Sequence, residues 1–235
     1  IAVSNFYHTL FRLLGDQSIE VQKEAIAAAG EMRSKELVPA LVYKLGHKGT
    51  ASAGAAALVK HGDGVLDTLS KVLANPGEKR EVRLRIPRIM SEIGTRNALE
   101  CLMKCLSEQD GHLRLRIVTA LGKIRRAHPD IPIDDKAIIA QVKGDIRRAY
   151  QEAVVMRDLA FTDKGWNLLR EALEIRFKRH LSIGLRLIES LYPHSQMNVI
   201  IANLASDTAT VRANAIEAID NMVSRSLGRQ IIPLI

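Results

Sequence analysis

The sequence predicts an all-α chain, a right-handed α-solenoid, and three observations predict it. Apolar residues recur at helical spacing along its whole length. One short phrase recurs about every 30 residues. No stretch alternates with a period of two for long enough to make a strand. The clearest copy of the phrase runs from Val82 to Leu106. Val82, Ile86, Ile89, Met90 and Ile93 form one apolar stripe, and Gly94 and Thr95 stop it. Ala98, Leu99, Leu102 and Leu106 then form a second. Two helices joined by so short a turn pack antiparallel.

The phrase is found again at Ala28-Ala29, Ala57-Leu58, Ala120-Leu121 and Ala218-Ile219, around the copy at Ile89-Met90. Seven residues before these anchors stand Val21, Thr50, Leu113, Val211 and Val82. The next residue in each is Gln22, Ala51, Arg114, Arg212 and Arg83. Four residues after the anchors come Met32, His61, Ile124, Met222 and Ile93. Two helices per period of about 30 residues is the pattern of a stacked helical repeat. Residues 16–126 keep the phrase closely, and residues 127–235 are a more divergent helical continuation. The whole of 1–235 is read as one continuous domain.

In chain order, residues 4–14 form a short helix, and residues 16–45 a first full repeat with Pro39 in the first turn of its second helix. Residues 48–73 form a second repeat, whose first helix is mostly Ala and Gly and suits close approach. Pro87 falls inside the first helix of the third repeat, where it is expected to kink it. His128-Pro129-Asp130-Ile131-Pro132 breaks the pattern. Asp134 or Asp135 then caps a helix running to about Phe161, with Gly144 a possible interruption. Another helix starts at Gly165-Trp166 with a stripe of Leu168, Leu169, Ala172, Leu173 and Phe177. Residues 181–191 form the next, ended by Tyr192-Pro193. A short helix spans 196–204. The last clear repeat helix spans 208–223 with Asp207 as its cap, and 229–235 opens a further helix.

Composition narrows the function classes. Of 235 residues, 47% are hydrophobic and only 4% aromatic, so Ala, Leu, Ile and Val must fill the core. No run is long and apolar enough for a membrane span, and no signal-peptide pattern stands at the start. The chain opens on Ile1 and closes on Gln230-Ile231-Ile232-Pro233-Leu234-Ile235, so it is read as a domain excised from a longer polypeptide. The two cysteines, Cys101 and Cys105, share a helix face and suit a reducing, cytoplasmic compartment. They are read as core residues, because no further ligand stands at a zinc spacing. None of the seven histidines precedes Glu, so the paired His-Glu dipeptides of the deoxyhypusine hydroxylases are missing. Ser190 and His194 lack an orienting acid. Gly62-Asp63-Gly64 is a turn rather than a phosphate loop. The chain is expected not to be an enzyme and to need no cofactor and no metal.

Basic residues remain. A net charge of +8 favours anionic partners. Lys79, Arg80, Arg85, Arg88, Arg116, Lys123, Arg125, Arg126, Arg147 and Arg148 could align into a solvated ridge. No aromatics are interleaved to stack on bases, so an anionic membrane surface suits that ridge better than nucleic acid. Arg83, Arg114 and Arg212 are set apart. They occupy the second position of the phrase, with Asp110 and Asp207 shortly before two of them. They are read as a structural ladder bracing the loops between repeats.

The phrase from Val82-Arg83 through Ile89-Met90 and Ile93-Gly94 to Ala98 and Leu102 resembles the short HEAT-like repeats named from phycobilisome lyases. Two further stretches, Arg83 to Gly94 and Ala172 to Ile235, resemble the HEAT segment of bacterial fusion proteins. In those, an ADP/ATP-carrier-type transporter domain of the major facilitator class precedes the repeats, and a cyclic-nucleotide-binding-like domain follows. The likeness implies a non-catalytic scaffold or coupling module on the cytoplasmic side. It would bind protein surfaces, those of its neighbouring domains above all, with the second helices of the repeats. The competing class is a nucleic-acid-binding helical-repeat protein, similar in size and charge to the alkylation-repair glycosylases. The single Trp166 and four tyrosines weigh against it.

Overall fold

The computed structural model describes residues 2–158, 166–192 and 196–235, and every element among them is helical. The expected helix end near Phe161, the start at Gly165 and the residues Pro193 and His194 lie outside the described residues. The chain divides into two compact units, residues 1–108 and 109–235.

The first unit holds α1 (Ala2–Leu14), α2 (Ile19–Met32), α3 (Val38–Lys44), α4 (Ala51–Lys60), α5 (Leu66–Ala74), α6 (Arg80–Arg83), α7 (Ile86–Ile93) and α8 (Arg96–Lys104). The first helices of the phrase pack on one another in the series α2, α4, α7. The second helices pack likewise in the series α3, α5, α8. Between these rows lies a core that includes Ile26, Leu37, Leu41, Leu58, Leu69, Ile86, Met90, Leu99 and Leu102. Burying an aliphatic side chain of this size stabilises by about 1.5–3 kcal/mol, so the rows hold each other together without aromatic residues.

Local chemistry sets the boundaries. Gly94 ends α7 in the left-handed conformation at φ 71°, and its N–H returns to the Met90 carbonyl at 3.0 Å. Thr95 then caps α8 by accepting from the Ala98 N–H. Pro39 lies in the first turn of α3. Pro87 does more than kink its helix. The chain breaks at Leu84 and Arg85, and Pro87 becomes a first-turn residue of α7. A proline ring crowds the carbonyl four residues earlier, here that of Arg83, where α6 ends.

α2 and α4 approach each other closely. A Cβ placed on Gly30 would lie 2.9 Å from both the Cα and the Cβ of Ala57. The Ala-rich run of α4 therefore has its counterpart in a glycine one repeat earlier.

The second unit holds α9 (Gly111–Ala127), α10 (Asp135–Asp158), α11 (Asn167–Leu191), α12 (Met197–Leu204), α13 (Ala209–Met222) and α14 (Arg225–Ile231). Asp134 caps α10 by accepting from the Ala137 N–H at 3.0 Å. Gly144 does not interrupt that helix, which spans 24 residues. The two helices expected over 168–177 and 181–191 are one, α11, of 25 residues. Lys178, Arg179 and His180 continue it, since polar residues break an apolar stripe without breaking a helix. The last helix starts earlier than expected, at Arg225.

α11 packs along α10 and against α9. With 17 residues, α9 is too short to follow α11 throughout. It lies beside the part from Arg179 to Ser190, judged by its contacts at Gly111 and Arg125. The first turns of α11 run past it. That is why Leu168, expected on an apolar stripe, is 81% exposed, with Leu169 and Ile175 also exposed. No described helix is long and apolar enough to cross a membrane.

Gly30→Ala should destabilise by about 1–3 kcal/mol, because the backbone of α4 must give way. Gly144→Ala, with nothing within 4 Å of its added Cβ, should instead stabilise by up to about 1 kcal/mol. Urea denaturation midpoints of the two variants, moving in opposite directions, check both.

Candidate functional site

Many short helices make many helix ends, and each leaves its last carbonyls without a partner inside the helix. The ladder positions answer this need. Gln22 Nε2 donates to the Asp16 carbonyl at 2.6 Å, and Arg212 donates to the Ser206 carbonyl at 2.5 Å. In each case the donor reaches back six residues. In the second repeat the ladder position is Ala51, which has no donor. The preceding residue takes over, with Thr50 Oγ1 donating to the Lys44 carbonyl at 3.2 Å, again six residues back. Arg83, 8% exposed, spans a longer loop. Its Nε donates to the Leu73 carbonyl at 2.9 Å and its other arm to the Glu108 carboxylate at 2.5 Å.

The aspartates of the ladder have other tasks. Asp110 caps α9 by accepting from the His112 and Leu113 N–H groups. Asp207 is exposed, and the N-cap of α13 is Thr208 rather than Asp207. Ser206 Oγ accepts the Thr208 N–H there, so the cap geometry leaves Asp207 in solvent.

Arg114 is the most deeply buried arginine of the ladder. It grips Asp145 of α10 with both arms, at 2.5 and 2.6 Å, and donates to Gln141 Oε1 at 3.0 Å. The two side chains are 3% and 0% exposed. His180 of α11 lies 3.2 Å from the same carboxylate, and Arg148 lies 3.5 Å away. One aspartate thus ties α9, α10 and α11. Burial pushes the Asp145 carboxyl up, but the hydrogen bonds from His180 and Arg114 prevail and hold it below its ordinary value of 3.8. Two similar pairs stand nearby. Glu152 accepts from Arg176 at 2.9 Å, and Glu189, 2% exposed, pairs with Arg126.

The ten ridge candidates do not form one class. Lys79, Arg80, Arg85 and Arg88 belong to the first unit, and Arg116, Lys123, Arg125, Arg126, Arg147 and Arg148 to the second. Nine are exposed, Arg88 with an ion pair to Glu92, Arg126 with one to Glu189 and Arg148 with one to Asp145. Arg125 is the correction: it is 7% exposed rather than solvated. It donates to the carbonyls of Pro129, Ile131 and Ser190. The irregular 128–134 loop has no ladder of its own, and Arg125 supplies its donors.

Other candidates have local explanations. Ser190 Oγ donates to the Leu187 carbonyl of its own helix at 2.6 Å. Asp63, in the glycine turn, accepts from Thr95 Oγ1 and Asn97 Nδ2, stapling that turn to the start of α8. Cys101 and Cys105 are half-buried, and burial pushes the Cys105 thiol up. Among the described residues no group of three or more His, Cys, Asp or Glu is placed to hold a metal ion.

Sequence reasoning missed Tyr43. It lies on α3, is 60% exposed, and its ring stands tilted against His47 with centres 4.7 Å apart. The ammonium groups of Lys44 and Lys79 each stand 5.9 Å from its ring centre. Beside it opens a cavity of about 280 Å³ between α3, α5 and the 78–82 segment.

No protein family's profile matches the chain, and no curated protein matches it. Among solved structures, the chain is similar to an engineered protein from a structural genomics consortium, at 20% identity and a TM-score of 0.38. The match covers 96% of this chain and spans 60% of that one. A likeness of that degree carries no argument about function.

Arg114→Met, which leaves buried Asp145 with His180 and Arg148 but without its two-armed partner, should destabilise by up to about 3–5 kcal/mol, whereas Arg114→Met with Asp145→Asn should recover much of that loss. Equilibrium unfolding of both variants at pH 7 measures it. The pair's contribution is complete above the ordinary carboxyl value of 3.8. It is lost as pH falls through the lower value of the folded state.

His61 supplies a second pH effect. Its Nε2 is buried without a partner, and burial pushes the imidazole below its ordinary 6.5, with an Ala29 carbonyl partly opposing. The unfolded chain therefore takes up the proton first. Stability should be full above 6.5 and fall as pH drops below it. His61→Met, which installs the residue found at the aligned positions 32 and 222, should flatten the profile between pH 5 and 7. Thermal melts across that range would show it.

Proposed function

We propose that this chain is a non-catalytic protein-interaction module, a right-handed α-solenoid of HEAT-like repeats. It couples a transporter domain to a regulatory domain within a longer protein, on the cytoplasmic side. The observation that carries this reading is the serial packing in the first unit, α2 on α4 on α7 and α3 on α5 on α8. Each helix pair contacts its neighbours in the row, so the row of second helices offers an extended side for binding other proteins. Small changes at each pair interface add up along such a row, which is the property a coupling element needs. The stretches Arg83 to Gly94 and Ala172 to Ile235 support the link to the transporter fusions by resemblance alone.

The chain should bind no nucleotide tightly, because in such a parent the nucleotide sites lie in the flanking domains. Isothermal titration calorimetry with ATP, ADP and cyclic AMP should show no micromolar affinity. Micromolar binding of any of the three would place a ligand site in this chain and overturn the coupling reading.

A further inference from the structure

The cavity beside Tyr43 is the one place among the described residues where an apolar recess, an exposed aromatic ring and an uncommitted cation meet. Its apolar lining is Pro39, Val42, Val72 and Val82, contributed by α3, α5 and α6. Its rim carries Tyr43 and Lys79. At about 280 Å³ it falls at or below the roughly 300–1,000 Å³ of sites that enclose a cofactor or drug-sized ligand. It has room for an aliphatic side chain with its adjoining backbone.

The two lysines near the ring differ. Lys44 is 8% exposed and donates to Gln22 Oε1 at 2.8 Å, so it is part of the framework. Lys79 is exposed, and among the described residues its ammonium has no carboxylate or carbonyl acceptor. It stands 5.9 Å from the Tyr43 ring centre, within reach of cation–π attraction, and its donors stay available. His47 stands tilted against the same ring, its centre 4.7 Å away. Glu78 lines the groove too and gives it direction. A carboxylate is drawn to the Lys79 end and repelled from the Glu78 end.

We infer that this groove binds an acidic peptide segment of a partner protein, an aliphatic side chain in the recess and a neighbouring carboxylate on Lys79. Charge complementarity chooses this occupant. Lys79 and the framework cation Lys44 stand near the ring, and among the described residues the one acid lining the groove is Glu78. The inference rests on the scaffold reading and gives it a site and a partner chemistry. Tyrosine, exposed here beside a recess, is also among the residue types that dominate binding energy in protein interfaces.

The test is a random-peptide phage library panned on the full 235-residue chain. Selected peptides are then measured by fluorescence anisotropy against wild type, Lys79→Glu, Tyr43→Ser and Lys123→Glu. Both groove positions are exposed, so these variants should fold. The expected result is enrichment of Asp or Glu next to Leu, Ile or Val. Lys79→Glu and Tyr43→Ser should each weaken binding roughly tenfold or more, and Lys123→Glu should leave it unchanged. Enriched peptides without acids, or with an affinity indifferent to Lys79→Glu, would end this proposal and leave the scaffold reading standing. Displacement of the peptides by oligothymidine at equal concentration would mean that the groove reads phosphate, and would overturn it as well. A library that enriches nothing would remove both.

Discussion

The constraint behind this architecture is the supply of hydrogen-bond donors to helix ends. A chain built largely from short helices has many bends, and each helix end leaves carbonyls without a partner inside the helix. A buried carbonyl without a partner costs about 1–3 kcal/mol, so a structure with this many bends cannot neglect them. Gln22, Thr50, Arg83 and Arg212 each send a side chain back to the preceding bend, and Arg125 reaches forward to the carbonyls of the 128–134 loop. The recurrence of a long donor just after the first apolar residue of the phrase is the trace of that need. Thr50 shows that the requirement belongs to the geometry and not to one column of the sequence. Where Ala51 cannot donate, its neighbour does.

The second unit adds a different demand. Its three long helices meet along a surface that carries Asp145, Glu152 and Glu189, all nearly inaccessible to water. Each carboxylate meets an arginine, and for Asp145 and Glu189 that arginine comes from α9. Such pairs contribute little net stability over an apolar core, but misplacing one strands a charge. Their effect is on register. α9 can slide along α10 and α11 only by uncoupling Arg114 from Asp145 and Arg126 from Glu189 together. Apolar stripes of Leu and Ile would tolerate such a slide far better.

Much of this was legible in the sequence, and the parts that were not have a common cause. Periodicity located the helices, and Gly94, Thr95, Pro39 and Asp134 marked their ends, because those signals are local. Arg125 was misjudged because its acceptors are carbonyls of a loop and of Ser190, 65 residues away in sequence. Leu168 and Leu169 were misjudged because the stripe that holds them is helical either way. Whether a third helix covers it depends on the length of α9. The break at Leu84 needed the whole consequence of Pro87, not only its missing N–H. Asp145 could have been noticed. It falls on the stripe of Val142, Ile146 and Ala149, and an acid among such residues is rarely left without a cation.

The same sorting changes what the +8 charge means. Arg83, Arg114, Arg125, Arg126, Arg176 and Arg212 are engaged with carboxylates or carbonyls of the fold. They hold loops and helices in place, and their charge is already matched or spread over backbone dipoles. A basic composition therefore overstates how much of the surface is available to an anion. Arginine, with its fixed fork of donors, suits the internal task, and a lysine ammonium offers the compact charge that a surface contact can share. Lys79 illustrates the division. It stands at the start of α6, four residues before the buried Arg83, and its charge is directed outward over Tyr43 while the arginine's is directed inward to Leu73 and Glu108. The short α6 turn created by the break before Pro87 places both on one segment, so the feature that interrupts the repeat also brings a free cation to the groove.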